Sequence, residues 1–179
     1  MLLATSEHLK APPFADVYAD NAAFVWRSLR RLGVRESDAE DACQEAFLVV
    51  HKKLGEFRGG SLRAWLFAIA MRVASDWRKR AHVRREVTGD AMPESIATDN
   101  PSADLDRARA RALLESILAT LDDDKRAVFV WYELEGMPMS DIASALECPL
   151  QTAYSRLHAA REHVTSAIER WKLQERRTP

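Results

Sequence analysis

Apolar residues recur along most of this chain at steps of three and four positions, the spacing that places them on one face of an α-helix. The first such pattern covers residues 14–32, and Gly33 follows it as a plausible C-terminal stop. A second helix is predicted to begin at a capping box formed by Ser37 and Glu40. A third pattern covers residues 62–86.

The second half of the chain continues this periodicity in shorter pieces. Helices are predicted over residues 105–121, 125–135, 139–146 and 150–172, with breaks at glycine and proline positions between them. No window alternates polar and apolar residues for long enough to predict a strand. We therefore expect an all-α protein.

Composition limits the class of protein. The chain has 179 residues, of which 47% are hydrophobic and 30% charged, the balance of one globular domain or two small ones. It has no apolar run of membrane-spanning length and no basic N-terminal region before an apolar core, so we expect a cytoplasmic protein without membrane insertion. Cys43 and Cys148 are interpreted as ordinary reduced thiols. With 26 basic and 27 acidic residues the net charge is −1, so bulk positive charge is not the means of binding.

Charge is distributed unevenly along the chain. Residues 61–87 contain seven basic and two acidic side chains, a balance of +5, and residues 88–107 contain five acids and one base, a balance of −4. Glycine and proline also enter the acidic stretch, which is typical of a linker. We therefore predict an N-terminal helical domain over 1–86, a flexible linker over 87–104 and a C-terminal helical domain over 105–179.

The C-terminal domain has the layout of a helix-turn-helix. A short helix over residues 140–146 is joined through residues 147–149 to a longer one, whose inward stripe is predicted to be Ala153, Leu157, Ala160, Val164 and Ile168. The outer and flanking positions carry polar, small or basic side chains suited to a DNA groove. These candidate duplex-reading residues are Gln151, Thr152, Tyr154, Ser155, Arg156, His158, Ala159 and Arg161. The pattern alone is equally consistent with the solvated face of a helical hairpin.

Both halves of the chain carry motifs that resemble the bacterial sigma-factor family, most closely its extracytoplasmic-function (ECF, group four) members. The segments that resemble region four of the family are LDDDKRAVF at 121–129, EGM at 135–137, DIA at 141–143 and TAYSRLHAAR at 152–161. The segments that resemble region two are DAEDACQEAF at 38–47, FRG at 57–59 and WLFAIAMRVASD at 65–76. The resemblance covers about residues 14–85 and 105–172.

The resemblance implies a sigma factor that directs core RNA polymerase to specific promoters. Region two would bind the clamp of the β′ subunit and open the minus-ten element, and region four would lie near the β flap and read the minus-thirty-five element. Core polymerase, promoter DNA and an anti-sigma factor are the implied partners, and no cofactor is expected. The polymerase-binding residues would be Asp38, Asp41, Gln44, Glu45 and Phe47, and the minus-ten residues Arg72, Asp76, Trp77, Arg78, Lys79 and Arg80.

The residues themselves also permit plainer interpretations. Asp38, Asp41 and Glu45 recur at three- and four-residue steps, which forms an acidic stripe for a basic partner or an ordinary solvated helix face. The basic stretch with Trp65 and Trp77 suits a single strand of DNA, although tryptophans at helical spacing are more often core residues.

Four positions depart from the family pattern. Arg72 stands where the family usually has Asn, and arginine lacks the paired donor and acceptor of an amide. Tyr154 and Ala159 stand where basic residues are common, and Pro138 replaces a Ser or Thr cap. We therefore expect both promoter elements to differ from the commonest family consensus.

Other chemistry is poorly supported. The acidic stripe has no histidine beside it, His158 and His163 are five apart, and no phosphate loop or nucleophile motif occurs, so neither a metal site nor an enzyme is expected. Two alternatives to initiation stay open: a helix-turn-helix regulator that works without polymerase, and a sigma-like adaptor that has lost initiation.

Overall fold

The computed structural model describes residues 11–88 and 103–176, and within these ranges the chain forms seven α-helices and no strand. The all-α prediction is confirmed. A 3₁₀ turn, Leu54–Glu56, follows the second helix, and a π-helical turn, Val130–Leu134, follows the fifth. Most of the predicted linker, residues 89–102, lies outside the described residues. The helices are α1 Phe14–Arg31, α2 Glu36–Lys53, α3 Leu62–Thr88, α4 Ala103–Ala119, α5 Asp123–Phe129, α6 Met139–Ala145 and α7 Leu150–Glu175.

Helix α1 ends as its sequence predicts. Gly33 adopts φ +94°, and its N–H donates to the carbonyl of Arg30 at 3.0 Å. The N–H of Val34 donates to the carbonyl of Leu29, also at 3.0 Å. These two bonds are the Schellman arrangement, which places the last carbonyls of the helix in hydrogen bonds and favours glycine at the left-handed position.

The predicted capping box at Ser37 is wrong. Helix α2 begins at Glu36, because the chain leaves the α1 stop in an extended conformation at Arg35 (ψ 154°) and turns helical directly after it. Ser37 therefore lies inside the first turn, where its hydroxyl is 3.4 Å from the Asp38 carboxylate. Helix α5 also begins before its predicted start, since the Asp122 side chain accepts a hydrogen bond from the Lys125 N–H at 2.9 Å and caps the helix.

Helices α1, α2 and α3 pack on one another as the first unit, and α7 packs on α5 and α6 in the second. Each helix buries one apolar face, and the predicted inward stripe of α7 is confirmed, with Ala153, Leu157, Ala160 and Val164 buried and Ile168 packed against the core. No helix among the described residues has an apolar stretch able to cross a bilayer.

The two units are packed together rather than separate. One continuous apolar cluster includes residues of both, and α3 lies against α6. At its centre the ring of Phe67 on α3 meets the edge of the Trp131 ring, with centroids 4.4 Å apart and both side chains fully buried. The Trp131 indole N–H has no hydrogen-bond partner among the residues that the structure describes. The sequence divides the chain into two units but does not predict this contact.

A buried arginine completes the joint between the units. The Arg126 side chain is only 4% exposed and donates to the carbonyls of Leu118 and Ala119, the last two residues of α4, and to that of Leu121 just after it. It also donates, at 2.9 Å, to the carbonyl of Leu32 at the end of α1. The guanidinium therefore lies between the negative ends of two helix dipoles. Burial, and secondarily the nearby Arg78, lowers the Arg126 pKa to about 10, so the group is still charged at neutral pH.

Ion pairs surround this joint. Arg78 on α3 donates to the same Leu32 carbonyl and pairs with Asp123, whose carboxylate also accepts from Ser75 at 3.1 Å. Two arginines at the end of α1 bind carboxylates of the second unit, in the pairs Arg30–Glu115 (3.1 Å) and Arg31–Glu135. The packed arrangement thus combines apolar burial with charged contacts.

Candidate protein and nucleic-acid interfaces

The outer face of α2 presents a short exposed stripe. Asp41 and Gln44 are exposed, and Leu48, which lies seven residues after Asp41 and four after Gln44, is 62% exposed. The helical repeat of 3.6 residues places these three side chains on one face. We call this set, Asp41, Gln44 and Leu48, the α2 face. An apolar side chain flanked by a carboxylate and an amide is suited to a basic, amphipathic partner helix.

One predicted polymerase-binding residue does not belong to this face. Phe47 is 3% exposed, and its ring packs edge-on against Tyr18, with centroids 4.7 Å apart. The prediction that Phe47 contacts a partner is therefore corrected, because this position falls on the inner side of α2. The neighbouring Leu48 takes its place on the surface, and its spacing from Asp41 and Gln44 was a signal that the sequence already contained.

Two predicted carboxylates on α2 are engaged within the chain. Asp38 accepts from Arg35 at 2.7 Å, one turn earlier, and its side chain is 15% exposed. Glu45 faces α3, where it accepts from the Trp77 indole at 2.9 Å and from Arg80 at 2.9 and 3.1 Å. Hydrogen bonding from Arg80 is the main cause that lowers the pKa of Glu45 below its usual 4.5, against the opposing effect of burial. Of the predicted acidic stripe, only Asp41 is thus freely presented.

Helix α3 carries the predicted minus-ten residues on two sides. Four of them are exposed and lie on one side of the helix, where successive members are four, three and one residues apart: Arg72, Asp76, Lys79 and Arg80. The half-buried Trp77 adjoins them, and the Arg80 guanidinium lies 5.2 Å from the centre of its ring. We call Arg72, Asp76, Trp77, Lys79 and Arg80 the α3 face.

Arg78 points to the other side. Its contacts with Asp123 and Leu32 belong to the joint between the units, so the structure does not place it with the other predicted minus-ten residues. This separation follows from the helical repeat, which turns Arg78 about 100° away from Trp77 in one direction and about 100° away from Lys79 in the other.

A sharp turn sets the angle of the helix-turn-helix. Between α6 and α7, the Cys148 N–H donates to the Ala143 carbonyl at 3.0 Å and the Glu147 N–H to Ser144 at 3.2 Å. Glu147 itself adopts φ +50°, a conformation that a residue with a Cβ adopts at some cost. Pro149 then precedes α7 in an extended conformation.

The outer face of α7 is open to solvent. Gln151, Tyr154, Ser155, His158 and Arg161 are exposed, and Thr152, Arg156 and Ala159 are half-buried at its edges. All eight predicted duplex-reading residues therefore lie on or beside one surface, which we call the α7 face. Amide, hydroxyl and imidazole groups there supply the donors and acceptors that base edges require.

Carboxylates accompany all the predicted DNA-contacting cations. Arg156 pairs with Asp124 of α5 at 2.5 Å, and Arg161 pairs with Glu133 of the π-helical turn at 2.6 Å. The other four predicted DNA-contacting cations also lie within 4.0 Å of a carboxylate, in the pairs Arg72–Glu147, Arg78–Asp123, Lys79–Asp76 and Arg80–Glu45. These contacts orient the cations while lowering the positive potential of the surface.

The described residues offer no other reactive centre. Nowhere among them do three histidine, cysteine or acidic side chains come close enough to hold a metal ion. Cys43 is half-buried, and burial together with the nearby Glu40 raises its thiol pKa, which disfavours the reactive thiolate.

Two family models match the chain in this order: Sigma-70 region 2 over residues 17–84, and Sigma-70, region 4 over residues 111–164. The first includes the α2 and α3 faces, and the second includes α5, α6 and the α7 face.

Curated relatives and solved structures agree with these matches. The ECF RNA polymerase sigma factor SigL of Mycobacterium tuberculosis is 33% identical, over 80% of this chain and 82% of that protein. The ECF sigma factor SigE of Mycolicibacterium smegmatis is 29% identical, over 90% of this chain and 63% of that longer protein. The sigma factor RpoE of Bartonella quintana, solved in complex with the anti-sigma factor NepR, has a TM-score of 0.68 at 22% identity, covering 87% of this chain and 96% of that one. This last likeness shows a shared fold.

Proposed function

The chain belongs to the ECF family of RNA polymerase sigma factors, and we propose that it recruits the core enzyme to promoters through the α2, α3 and α7 faces. It would act as a group-four initiation subunit in the cytoplasm, without catalysing a reaction itself and without a cofactor. The observation that carries this proposal is the match of region 2 and region 4 family models, in that order, to residues that include the α2, α3 and α7 faces.

The α2 face is the proposed contact for the polymerase β′ clamp. Asp41 supplies a free carboxylate, Gln44 a donor and acceptor, and Leu48 an apolar side chain that a partner would bury. A pairing of this kind gains affinity from the apolar contact and orientation from the charge.

The α3 face is the proposed site of strand opening at the minus-ten element. Trp77 offers a ring on which an unstacked base can lie, and Lys79 and Arg80 offer charges for the phosphates beside it. Arg72, where the family usually has Asn, can bind a phosphate or stack on a base but cannot read an edge as an amide does. We therefore expect a minus-ten preference that differs from the family consensus.

The α7 face is the proposed reader of the minus-thirty-five duplex, near the β flap. Gln151, Ser155 and His158 would meet base edges, and Arg156 and Arg161 at its margins would meet phosphates or guanines. Tyr154 and Ala159 remove two positive contacts common in the family, which again predicts an altered sequence preference.

Engaging both elements requires the two units to separate. Centres about 25 base pairs apart lie about 85 Å from each other along B-DNA. A packed chain of this length has a radius of gyration of only about 16 Å. The packed arrangement is therefore the form of the chain before it engages a promoter, and opening breaks the joint at Leu32, Arg126 and Trp131.

We further propose that an anti-sigma factor regulates the chain. The Bartonella relative was solved with such a partner, and the family resemblance implies one.

Reconstituted transcription tests the proposed function. Core polymerase is mixed with the chain and genomic DNA, and the 5′ ends of the transcripts are sequenced. We expect a small set of start sites that share two upstream elements and vanish without the chain. Asp41→Lys should weaken the association with core, whereas Asp20→Lys, the same change at an exposed position on α1, should not. Transcripts that do not depend on the chain would contradict the proposal.

A further inference from the structure

The π-helical turn, Val130–Leu134, contacts both the joint between the units and the α7 face. It follows α5 directly, and its backbone closes where the Glu135 N–H donates to the Val130 carbonyl, five residues earlier, at 3.1 Å. Single π-helical turns of this kind are rare and occur mostly at functional sites. The contacts that the side chains of this turn make indicate what it does here.

One side of the turn is held by the first unit. Trp131 is fully buried and meets the Phe67 ring edge-on, with centroids 4.4 Å apart. Glu135, the residue directly after the turn, has a side chain that is only 6% exposed and pairs with Arg31 at the end of α1. A buried carboxylate depends on its cation, because loss of that partner leaves an uncompensated charge. Separation of the units therefore removes the Phe67 ring and the Arg31 charge from the turn together.

The other side of the turn holds a cation of the α7 face. Nε of Arg161 donates to Oε1 of Glu133 at 2.6 Å, and the guanidinium lies 5.5 Å from the centre of the Tyr132 ring, within the range of a cation–π contact. Two consecutive residues of the turn thus orient Arg161. A DNA phosphate can take this guanidinium only by replacing the Glu133 carboxylate.

The packed turn leaves one polar group unsatisfied. The indole N–H of Trp131 is buried without a hydrogen-bond partner among the described residues. A buried donor in this state costs free energy, which water or a new acceptor would recover. The neighbours of the turn in the first unit therefore stabilise a conformation in which its own hydrogen bonding is incomplete, and the turn can rearrange when they leave.

We propose that the π-helical turn couples the joint to the α7 face: Glu133 retains Arg161 while the units are packed, and the turn releases Arg161 to DNA when they separate. The inference rests on the proposed function, since it states when the α7 face becomes ready to bind. Coupling between two sites requires one element on which both act, and the turn is such an element.

The NMR resonance of the Arg161 Nε–H reports the state of the turn without DNA. It is assigned by its absence in Arg161→Lys, and Glu133→Ala gives its unpaired position. For Arg31→Gln, a change in the first unit, we expect the resonance to move at least half of the way to that position. Arg30→Gln is the matched control: it removes the neighbouring pair of the joint, to Glu115 on α4 instead of the turn, and should leave the resonance unchanged.

Binding to DNA tests the consequence of the coupling. The full chain is titrated onto a duplex that carries the upstream element of a promoter found by transcript sequencing. We expect Glu133→Ala to bind about fivefold more tightly than wild type, the upper value for one exposed ion pair, and Arg31→Gln about threefold more tightly. Arg30→Gln should stay within about twofold of wild type. In the Arg161→Gln background, Glu133→Ala should bring no gain, because Glu133 acts through Arg161.

Three results would overturn the inference while leaving the proposed function intact. The first is an unmoved Arg161 resonance in Arg31→Gln. The second is an equal shift in Arg30→Gln, which would assign the effect to the joint as a whole instead of the turn. The third is unchanged duplex affinity in Glu133→Ala. If core polymerase and the wild-type chain yield no chain-dependent transcripts, the proposed function fails and release to DNA fails with it, while the resonance still decides whether the turn and the joint are coupled.

Discussion

Replacing Gly33 with alanine perturbs the joint between the two units at its tightest point. A Cβ at this position would lie 2.6 Å from Nη1 of Arg126 and 3.1 Å from Cδ of Arg78. The backbone there has φ +94°, which adds strain for any residue other than glycine. The guanidinium is the flexible end of its side chain, but three carbonyls of the second unit hold Arg126 in place. The contact that gives way is therefore the one to Leu32.

The expected loss of stability has two parts. The left-handed conformation costs about 1–2 kcal/mol for alanine. Loss of the charged hydrogen bond between Arg126 and the Leu32 carbonyl costs about 1.5–3 kcal/mol more. Gly60→Ala separates the two effects, since Gly60 has a similar φ of +88° but no atom within 4 Å of its Cβ position. We expect about 3 kcal/mol for Gly33→Ala and about 1 kcal/mol for Gly60→Ala, a difference of roughly thirtyfold in the unfolding equilibrium.

Urea unfolding followed by circular dichroism measures both free energies, and tryptophan emission reports the joint. Trp131 is fully buried beside Phe67, so separation of the units should shift its emission to longer wavelength in Gly33→Ala but not in Gly60→Ala. Equal destabilisation by the two substitutions, with unchanged emission in both, would refute the reasoning that the units meet at Leu32.

Three further predictions concern single side chains. Glu147→Gly should stabilise the chain by up to about 1 kcal/mol in urea unfolding, because Glu147 holds φ +50°; destabilisation would contradict this account of the turn. The Glu45 pKa in the folded chain is lowered from 4.5, so the stability that its carboxylate contributes is present above pH 4.5 and is lost as the pH falls through the folded-state pKa. The NMR resonance of the Trp77 indole N–H should titrate in that acidic range. In Glu45→Gln the same resonance should not titrate there. Gln151→Ala should reduce discrimination at the upstream promoter element by about 1–3 kcal/mol in holoenzyme binding, whereas Arg170→Ala, exposed on the distal part of α7, should leave it unchanged.

Much of the fold follows from local rules that the sequence displays. The inward stripe of α7 and the stop at Gly33 depend only on helical spacing and on the conformational freedom of glycine, and both are confirmed. The start of α2 was misplaced because Ser37 satisfies the capping pattern, while the extended conformation of Arg35 after the α1 stop decides where the helix begins. Local signals of this kind compete, and the sequence does not show which one prevails.

Longer-range features could not be predicted in the same way. The sequence does not predict that Phe67 and Trp131 bury each other, because a hydrophobic side chain does not specify its partner. Arginine side chains usually lie on the surface, so the sequence does not predict that Arg126 is buried. Its burial is explained by the two helix ends that meet around its guanidinium. The family motif implies Phe47 as a contact because it marks a segment without distinguishing the inner side of the helix from the outer side, where Leu48 lies.

The internal pairing of the cations affects how strongly a chain of net charge −1 would bind DNA through the proposed α3 and α7 faces. Contact with a phosphate exchanges one partner for another: Arg161 leaves Glu133 and Arg156 leaves Asp124, so the gain in charge pairing is smaller than for a free cation. Fewer counterions are then released on balance, and binding by the free chain should be weak and only mildly dependent on salt. Affinity must come from the core enzyme, which holds the chain against DNA and makes each exchange intramolecular. A sigma factor built in this way depends on polymerase for stable promoter binding.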